Sequence, residues 1–357
     1  MSKALLLSAV LIGSVTSTLP IPSSSPPPET ISWQSPSHSC PGPPEPYTIL
    51  PSPGKGLGVF ALHDLDPGTI IMREPPILTI PRPPFKKGSG YPMPAISHLV
   101  RSAFTNLTPS QQSQITNLTF HASEPEKSQA DVLGLIFRSN AYKTGDEIAL
   151  FPKIARINHS CRPNTSYYWN AKLQRRIVYA NRRIEKGEEL SDSYISLLVT
   201  KDERRKSLEP YGFKCHCEAC QTNTKASDTR RTKIKKTFTE LDQASTLPLP
   251  APPNPNTNPP SHNEAHKNAQ KAAHLVSMLQ AEGLADYYAT AFRYAALFHM
   301  KIGEWGKAAK WANMGYELRV MEDPESAYAM EMFEITGECI EGWKEELRGR
   351  RVLKGEV

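Results

Sequence analysis

A chain of 357 residues, of which 39% are hydrophobic and 22% charged, is long enough for two compact domains, and this composition excludes fibrous and wholly disordered proteins. The formal net charge of +6 is a mild basic bias that suits an acidic partner and an ordinary enzyme equally well. Most of the 33 prolines lie in two stretches, twelve between Pro20 and Pro53 and seven between Pro248 and Pro260. Because proline lacks a backbone donor and breaks helices and central strands, both stretches are predicted to be linkers.

The first 19 residues have the pattern of a secretory signal peptide. Lys3 precedes an apolar run at residues 4–15, which small residues follow, and the run is too short to span a membrane. Asn-x-Ser/Thr triplets at Asn106, Asn117 and Asn164 would suit secretion. The cysteine spacing described below favours metal-bound thiolates and hence a nuclear or cytoplasmic protein. The compartment therefore stays open at this point.

After a proline-rich leader at residues 20–46, a β-rich domain is predicted at residues 47–194. Short apolar runs such as residues 58–61, 69–72 and 176–180 lie between breaks rich in glycine, proline and asparagine. A helical insert is predicted at about residues 91–143, where apolar residues recur every three or four positions. Its helices are expected at residues 94–104, 109–115 and 130–137. The fold class is therefore α+β.

The remainder of the chain is predicted to be a linker followed by an all-α domain. Residues 223–264 are basic and proline-rich, and their run from Lys225 to Lys236 suits a solvated linker better than a nuclear-targeting or polyanion-binding patch. Such a linker would leave the tail loosely attached. Residues 265–357 have helical periodicity throughout. The pattern of small and large residues at 303–312 resembles a tetratricopeptide hairpin, although ordinary packing of two helices explains it slightly better.

Three cysteines, Cys215, Cys217 and Cys220, form the sequence C-x-C-x-x-C, a spacing that brings three thiolates within reach of one metal ion. A ligand set rich in sulfur favours a closed structural Zn²⁺ over a catalytic one. His216, between two of these cysteines, is interpreted as a bystander. If the chain is secreted, two disulfides with spare thiols are the alternative.

The fourth zinc ligand must come from another part of the chain. Cys40 lies in the proline-rich leader and Cys339 in the helical tail. Cys161 lies within Asn-His-Ser-Cys-Arg-Pro-Asn at residues 158–164, a cluster that is itself unusual. The spacing alone leaves these three candidates open.

Four motifs in this order resemble the SET methyltransferase family. They are Gly-x-Gly-Val-Phe at residues 56–60, Asn-His-Ser-Cys-x-Pro-Asn at 158–164, Gly-Glu-Glu-Leu at 187–190 with Ser-Tyr at 193–194, and the cysteine triplet. Within that family the chain most resembles the SET-and-MYND group and its fungal relatives. The resemblance is strong over residues 47–220 and weak in the tail.

The resemblance implies a β-rich SET domain of small curved sheets with a pseudoknot, in which residues 158–161 and 190–194 cross at the active site. A post-SET zinc segment would follow at residues 195–222. By the same resemblance Cys161 completes one structural Zn²⁺ site with Cys215, Cys217 and Cys220. S-adenosylmethionine would be bound by Lys55, Gly56, Gly58, Asn140, Asn158, His159 and Phe213.

The implied reaction is transfer of a methyl group to a protein lysine, with Tyr194 and Tyr211 as the catalytic residues. Methyl transfer from a sulfonium is an in-line displacement, which needs alignment more than it needs an acid or a nucleophile. The lysine must arrive neutral, and an aromatic, desolvated channel beside a cationic sulfonium lowers the pKa of an ammonium. Tyrosine oxygens can accept weak C–H contacts from the methyl group.

The chain departs from the family pattern at two places. The insert has no cysteine between Cys40 and Cys161, so the MYND zinc finger is absent, and Asp192 stands where a hydrophobic residue or threonine is usual. The preferred hypothesis is an active protein-lysine methyltransferase acting on a histone or non-histone protein. It would be a monomer without sequence-specific nucleic-acid binding or a transmembrane span. The alternatives are a catalytically lapsed SET scaffold that mediates protein contacts and a secreted, cysteine-bridged protein.

Overall fold

The computed structural model describes residues 44–83, 92–222, 224–246 and 260–353. The chain divides into two compact units, Met1–Pro44 and Glu45–Val357, and every element described below belongs to the second. The predicted signal peptide at residues 1–19, almost all of the predicted leader and Cys40 lie outside the described residues. Within them, no helix has the length and apolar character that a bilayer crossing requires.

Ten strands form three small sheets, as expected for a β-rich domain. In chain order they are β1 (Tyr47–Ser52), β2 (Gly56–Ala61), β3 (Ile70–Glu74), β4 (Leu78–Pro81), β5 (Ala141–Thr144), β6 (Glu147–Leu150), β7 (Asn158–His159), β8 (Thr165–Asn170), β9 (Arg175–Ala180) and β10 (Glu189–Asp192). The strand orders are β1-β2-β10-β7, β3-β9-β8 and β4-β6-β5. Because no sheet is large, the strands bury their apolar residues against one another and against the insert.

Strand β10 connects the predicted motifs. It pairs antiparallel with β2, where Leu190 faces Val59, and parallel with β7, where Asp192 faces His159. Segments that lie more than a hundred residues apart in the chain thereby become neighbours in one sheet. The crossing of a pseudoknot stays a prediction, but the two segments expected to cross do lie side by side.

Four helices lie between β4 and β5: α1 (Met93–Thr105), α2 (Pro109–Thr116), α3 (Glu124–Gln129) and α4 (Val132–Asn140). Helix α2 begins with Thr108 and Gln111 in a capping box and with proline at its first position, a combination that satisfies free backbone donors. Apolar residues of the insert, such as Val100 and Phe137, pack against Leu78 and Ile80 of β4. This packing fixes the end of α4, and with it Asn140, beside the candidate site.

After β10, all regular elements of the described residues are helices: α5 (Lys201–Leu208), α6 (Glu218–Gln221), α7 (Thr224–Ser245), α8 (Pro260–Glu282), α9 (Tyr288–Lys301), α10 (Trp305–Glu322) and α11 (Ala327–Leu353). The expected linker at residues 223–264 is therefore a helix over more than half of its length, which corrects that prediction. Helix α7 forms because Ser227, Arg231, Ile234 and Leu241 recur at helical spacing on one buried face. Residues 247–259, the most proline-rich part, lie outside the described residues.

The helical tail packs directly on the β-rich half, contrary to the expectation of a loose attachment. One core cluster joins Cys161, Cys215 and Leu197 with Ile234 of α7 and Phe292 of α9. The site described next therefore lies in a core that both parts of the chain share.

Candidate active site and metal centre

The four cysteines that the sequence singled out come together. The Sγ atoms of Cys161, Cys215, Cys217 and Cys220 all lie within 4.8 Å of one another, and those of Cys161 and Cys220 are 3.7 Å apart. A tetrahedral Zn²⁺ with bonds of about 2.3 Å would place its sulfur ligands roughly 3.8 Å apart. No cysteine of the described part forms a disulfide. The cluster therefore fits a four-thiolate zinc ion, and His216, which is exposed, is not part of it.

Neighbouring groups orient the thiolates. The backbone N–H of Cys161 donates to Cys217 Sγ at 3.3 Å, and His159 Nε2 lies 3.4 Å from Cys161 Sγ. The carbonyl of Cys161 accepts a hydrogen bond of 3.0 Å from Arg231, which reaches it from α7. Such outer contacts hold metal ligands in position. Cys339, the other described candidate for the fourth ligand, is buried in the helical tail among Ala308 and Met332.

A second group forms around Glu189, a residue that was not predicted to belong to the site. Its carboxylate accepts hydrogen bonds of 2.7 Å from both Lys55 Nζ and Asn158 Nδ2. Partial burial opposes ionisation, but the hydrogen bonds from Lys55 and Asn158 outweigh it, so the pKa of Glu189 is lowered. Glu189 belongs to the Gly-Glu-Glu-Leu motif, which is the signal that could have identified it. Glu189 thus holds Lys55 and Asn158, two of the residues that were predicted to bind the cofactor.

The two predicted glycines have different roles beside Glu189. Gly56 adopts a φ of 78°, which side chains rarely tolerate. At Gly58 an added Cβ would lie 2.5 Å from Glu189 Oε1 and 3.1 Å from Asn158 Nδ2. Only glycine therefore leaves Glu189 and Asn158 in place at this position.

The predicted aromatic residues form one cluster with His159. The ring centroids of Tyr194 and Tyr211 are 5.1 Å apart, those of Tyr194 and His159 5.4 Å, and Phe213 meets Tyr194 edge-on at 6.4 Å. The hydroxyl of Tyr194 donates to the carbonyl of Ile157 at 2.7 Å. Burial raises the pKa of Tyr194 above its ordinary value and lowers that of His159 to about 4. Both side chains are therefore neutral at physiological pH.

Three adjoining cavities surround this cluster. Two of these cavities have a volume of about 290 Å³ each and share the lining residues Lys55, Asn158, Tyr211 and Phe213. One of them extends to Asn140. The other extends to His159 and Cys215. The amide nitrogen of Asn140 is already engaged by the carbonyls of Thr119 and Ile136, at 2.9 and 2.8 Å.

The third cavity, of about 350 Å³, has aromatic walls. Tyr194, Tyr211 and Asn140 line both this cavity and one of the first two. We call the two cavities of about 290 Å³ the polar compartment and the cavity of about 350 Å³ the aromatic compartment. The two compartments meet at Tyr194 and Tyr211, the residues that were predicted to be catalytic.

Comparison with known proteins agrees with this arrangement. The SET domain family matches residues 56–195. "Histone-lysine N-methyltransferase set5" of Schizosaccharomyces pombe is 33% identical over 195 residues, which are 53% of this chain and 56% of that protein. Human "Histone-lysine N-methyltransferase SMYD3" is 44% identical over 82 residues, 23% of this chain and 19% of that protein.

Human "N-lysine methyltransferase SMYD2" is 33% identical over 123 residues, which are 32% of this chain and 28% of that protein. The chain thus spans about half the length of the yeast relative and less than a third of the two human ones. Residues 56–195 of this chain thus match the SET domain family, and the relatives that share this region carry the names of lysine methyltransferases.

Proposed function

We propose that the chain is an S-adenosylmethionine-dependent protein-lysine N-methyltransferase that acts on a histone or non-histone protein. The observation that carries this proposal is the meeting of two compartments at Tyr194 and Tyr211. A methyl donor in the polar compartment and a lysine in the aromatic one would face each other there. Such alignment is the main requirement of an in-line displacement.

The residues of the polar compartment fit S-adenosylmethionine. When bound, this cofactor supplies an electrophilic methyl group on a cationic sulfonium. Lys55 offers an ammonium for a carboxylate, and Phe213 offers a face for a base. Gly58 contributes indirectly, because a Cβ there would displace Glu189 and Asn158. Glu189 holds Lys55 and Asn158 in place, so this binding surface is formed in advance.

The hydroxyl of Tyr194 is positioned by its own hydrogen bond. Because it donates its proton to Ile157, its oxygen lone pairs are available to accept contacts from a polarised methyl group. Its raised pKa keeps it neutral, so it orients the reacting groups and takes no proton. Tyr211 would complete the wall on the same side.

The four cysteines would hold one structural Zn²⁺. The support is the spacing of their sulfur atoms and the hydrogen bond from the backbone of Cys161 to Cys217. Zinc thiolates are stable in reducing compartments, which favours a nuclear or cytoplasmic protein over a secreted one. The ion would stabilise the segment that carries Tyr211 and Phe213.

For the tail we propose a tetratricopeptide-like hairpin of α9 and α10. Gly303 has a φ of 73° in the turn, and Ala308 is fully buried where the helices meet. Trp311 stacks on Phe292 with ring centroids 5.6 Å apart. The alternation of small and large residues at this crossing is what such a hairpin requires.

The enzymatic proposal is tested by labelling. Purified full-length chain is incubated with methyl-tritiated S-adenosylmethionine and a cell extract, and the modified lysines are identified by mass spectrometry. We expect label on lysine, and we expect Tyr194→Phe to reduce the rate on the order of tenfold to hundredfold through misalignment. Tyr168→Phe, a strand tyrosine outside the three cavities, is the matched control. If calorimetry detects cofactor binding but no lysine is labelled, the chain is a SET scaffold.

A further inference from the structure

The aromatic cavity already contains a positive charge. The guanidinium of Arg176 lies between two of the tyrosine rings that line the cavity, 4.2 Å from the centroid of Tyr142 and 4.3 Å from that of Tyr167. Arg176 is buried, and its Nη1 donates to the carbonyl of Lys143 at 3.2 Å. A lysine ammonium that enters this cavity therefore meets a fixed cation and is repelled by it.

A buried carboxylate lies beside the same cavity. Asp192 is only 2% exposed, and neither of its oxygens has a hydrogen-bond partner among the described residues. Arg176 attracts it but does not bond to it, since Arg176 Nε is also without a partner. Buried polar groups are nearly always paired, so an unpaired carboxylate next to an unpaired guanidinium nitrogen needs an explanation.

Asp192 lies close in the chain to residues that line the cavity. It is two residues from Tyr194. Burial raises the pKa of Tyr142, Tyr167, Tyr194 and Tyr211, the four tyrosines that line the cavity, and the negative charge of Asp192 raises it further. Asp192 itself does not line the cavity, but the next two residues of the chain, Ser193 and Tyr194, do. The pairing of β10 with β7 fixes its backbone opposite His159.

We propose that Asp192 makes the aromatic cavity selective for a cationic side chain, because its charge offsets that of Arg176 and attracts the ammonium of the incoming lysine. The proposal rests on the proposed function, since it names the residue that selects the substrate at the same site. Without Asp192 the cavity would have a net positive charge and would exclude ammonium groups. With Asp192 ionised, the charge of Arg176 is balanced and the lysine is admitted as an ammonium. It must then lose its proton to solvent before it can attack the methyl group, and the cationic sulfonium favours this loss.

The selectivity depends on pH in a defined direction. Burial raises the pKa of Asp192 to about 7, against the opposing effect of Arg176. The carboxylate is therefore charged above pH 7, where cations are admitted, and neutral below it, where Arg176 repels them. The charged or titratable groups that face it are Arg176, Asp286, Tyr142, Tyr167, Tyr194, Tyr211 and His159.

The test compares two small probes of equal length, n-butylammonium chloride and 1-butanol, by ligand-observed NMR titration of the full-length chain. The amine keeps its proton between pH 6 and 9, so any change with pH belongs to the protein. We expect the wild type at pH 8.5 to bind butylammonium about tenfold more tightly than butanol, and this preference to vanish at pH 6. If the preference for butylammonium over butanol is the same at pH 8.5 and pH 6, the proposal is overturned. This comparison uses the wild type alone.

Two substitutions remove the charges of Asp192 and Arg176 one at a time. Asp192→Asn, which is nearly isosteric, should abolish the preference at pH 8.5, and Arg176→Gln should increase it. The double variant should recover part of what Asp192→Asn loses. If Asp192→Asn binds butylammonium with the same preference over butanol as the wild type, the proposal is contradicted. If that variant does not fold, an unchanged preference in Arg176→Gln contradicts the proposal instead. Labelling of lysine by the wild type is scored separately, so a failure of the enzymatic proposal and a failure of charge selection are distinguishable.

Discussion

Glu189 and Asp192 are carboxylates on the same short strand, yet their environments act on them in opposite ways. Glu189 accepts hydrogen bonds from Lys55 and Asn158, which lower its pKa. The carboxylate of Asp192 has no hydrogen-bond partner among the described residues, and burial raises its pKa to about 7. The first carboxylate therefore organises the polar compartment as a permanent anion. The second is close to its titration point at physiological pH.

Cys161 is the residue on which the proposed zinc site should depend most. Of the four clustered cysteines, Cys161 is the one that follows β7 in the chain, and its Sγ is 3.7 Å from that of Cys220. We expect Cys161→Ser to lose zinc, because a serine hydroxyl is a much poorer ligand than a thiolate. The measurement is zinc per chain by atomic absorption after dialysis against a chelator, where the wild type should retain about one ion.

Cys339→Ser is the matched control for this experiment. Cys339 is equally buried, but it contacts Met300 in the helical tail and is far from the cluster in the chain. Its substitution should leave the zinc content unchanged. Retention of the full zinc content by Cys161→Ser would show that the ion, if present, does not need the fourth thiolate.

Some of this site could be predicted from the sequence because its signals are local. The cysteine triplet and the cluster around Cys161 are visible as spacings, and the structure brings all four thiols together. The isolation of Asp192 and the pairing of Arg231 could not be predicted in this way. Both depend on burial by segments far away in the chain, and a charged residue in a sequence looks the same whether it is solvated or buried.

At the scale of elements, α7 shows how composition can mislead. Its basic run suggested a solvated linker, but Arg231 faces inward and is fully buried. The guanidinium donates to the carbonyls of Cys161 and Leu197, both at 3.0 Å, and to Glu282 of α8 at 2.9 Å. One arginine thereby joins the cysteine cluster, the segment that contains Leu197 and the helical tail. The helical recurrence of apolar residues Ile234 and Leu241 was the better signal.

The buried ion pair between Arg231 and Glu282 should be essential for stability. Both side chains are at most 1% exposed, and Glu282 also accepts hydrogen bonds from Ser227 and Arg230. Glu282→Ala should lower the free energy of unfolding by about 3–5 kcal/mol, because it leaves a buried guanidinium unpaired. Urea denaturation measures this change. Glu341→Ala, which breaks an exposed pair with Lys344, is the control and should have little effect.

The same pair predicts a direction for acid denaturation. Burial opposes ionisation, but hydrogen bonds from Ser227, Arg230 and Arg231 leave the folded pKa of Glu282 below its ordinary value. Its contribution to stability is therefore complete above the ordinary carboxyl pKa and is lost as the pH falls through the lowered one. Glu282→Ala should flatten this part of the stability curve, whereas a wild-type slope in the variant would assign the acid sensitivity to other carboxylates.

For the whole molecule, the SET domain and the tail share one core. Leu197, Cys215 and Cys220 pack in the same cluster as residues of α7, α8 and α9. Further contacts cross between the two parts, such as the hydrogen bond of 2.9 Å from Arg162 to the carbonyl of Glu282. Removing the tail would expose the apolar surroundings of the four clustered cysteines to water. The helices are therefore part of what stabilises the β-rich half.

Truncation tests this dependence directly. A chain of residues 45–222, which ends after α6, should be digested rapidly by trypsin and should retain little zinc, because it lacks the helices that cover Cys161 and Cys220. A chain of residues 45–357 removes only the first 44 residues and should resist digestion as the full chain does. If residues 45–222 resist trypsin and hold zinc as well as the longer chain, the shared core is not required. In that case the tail serves only to contact other molecules.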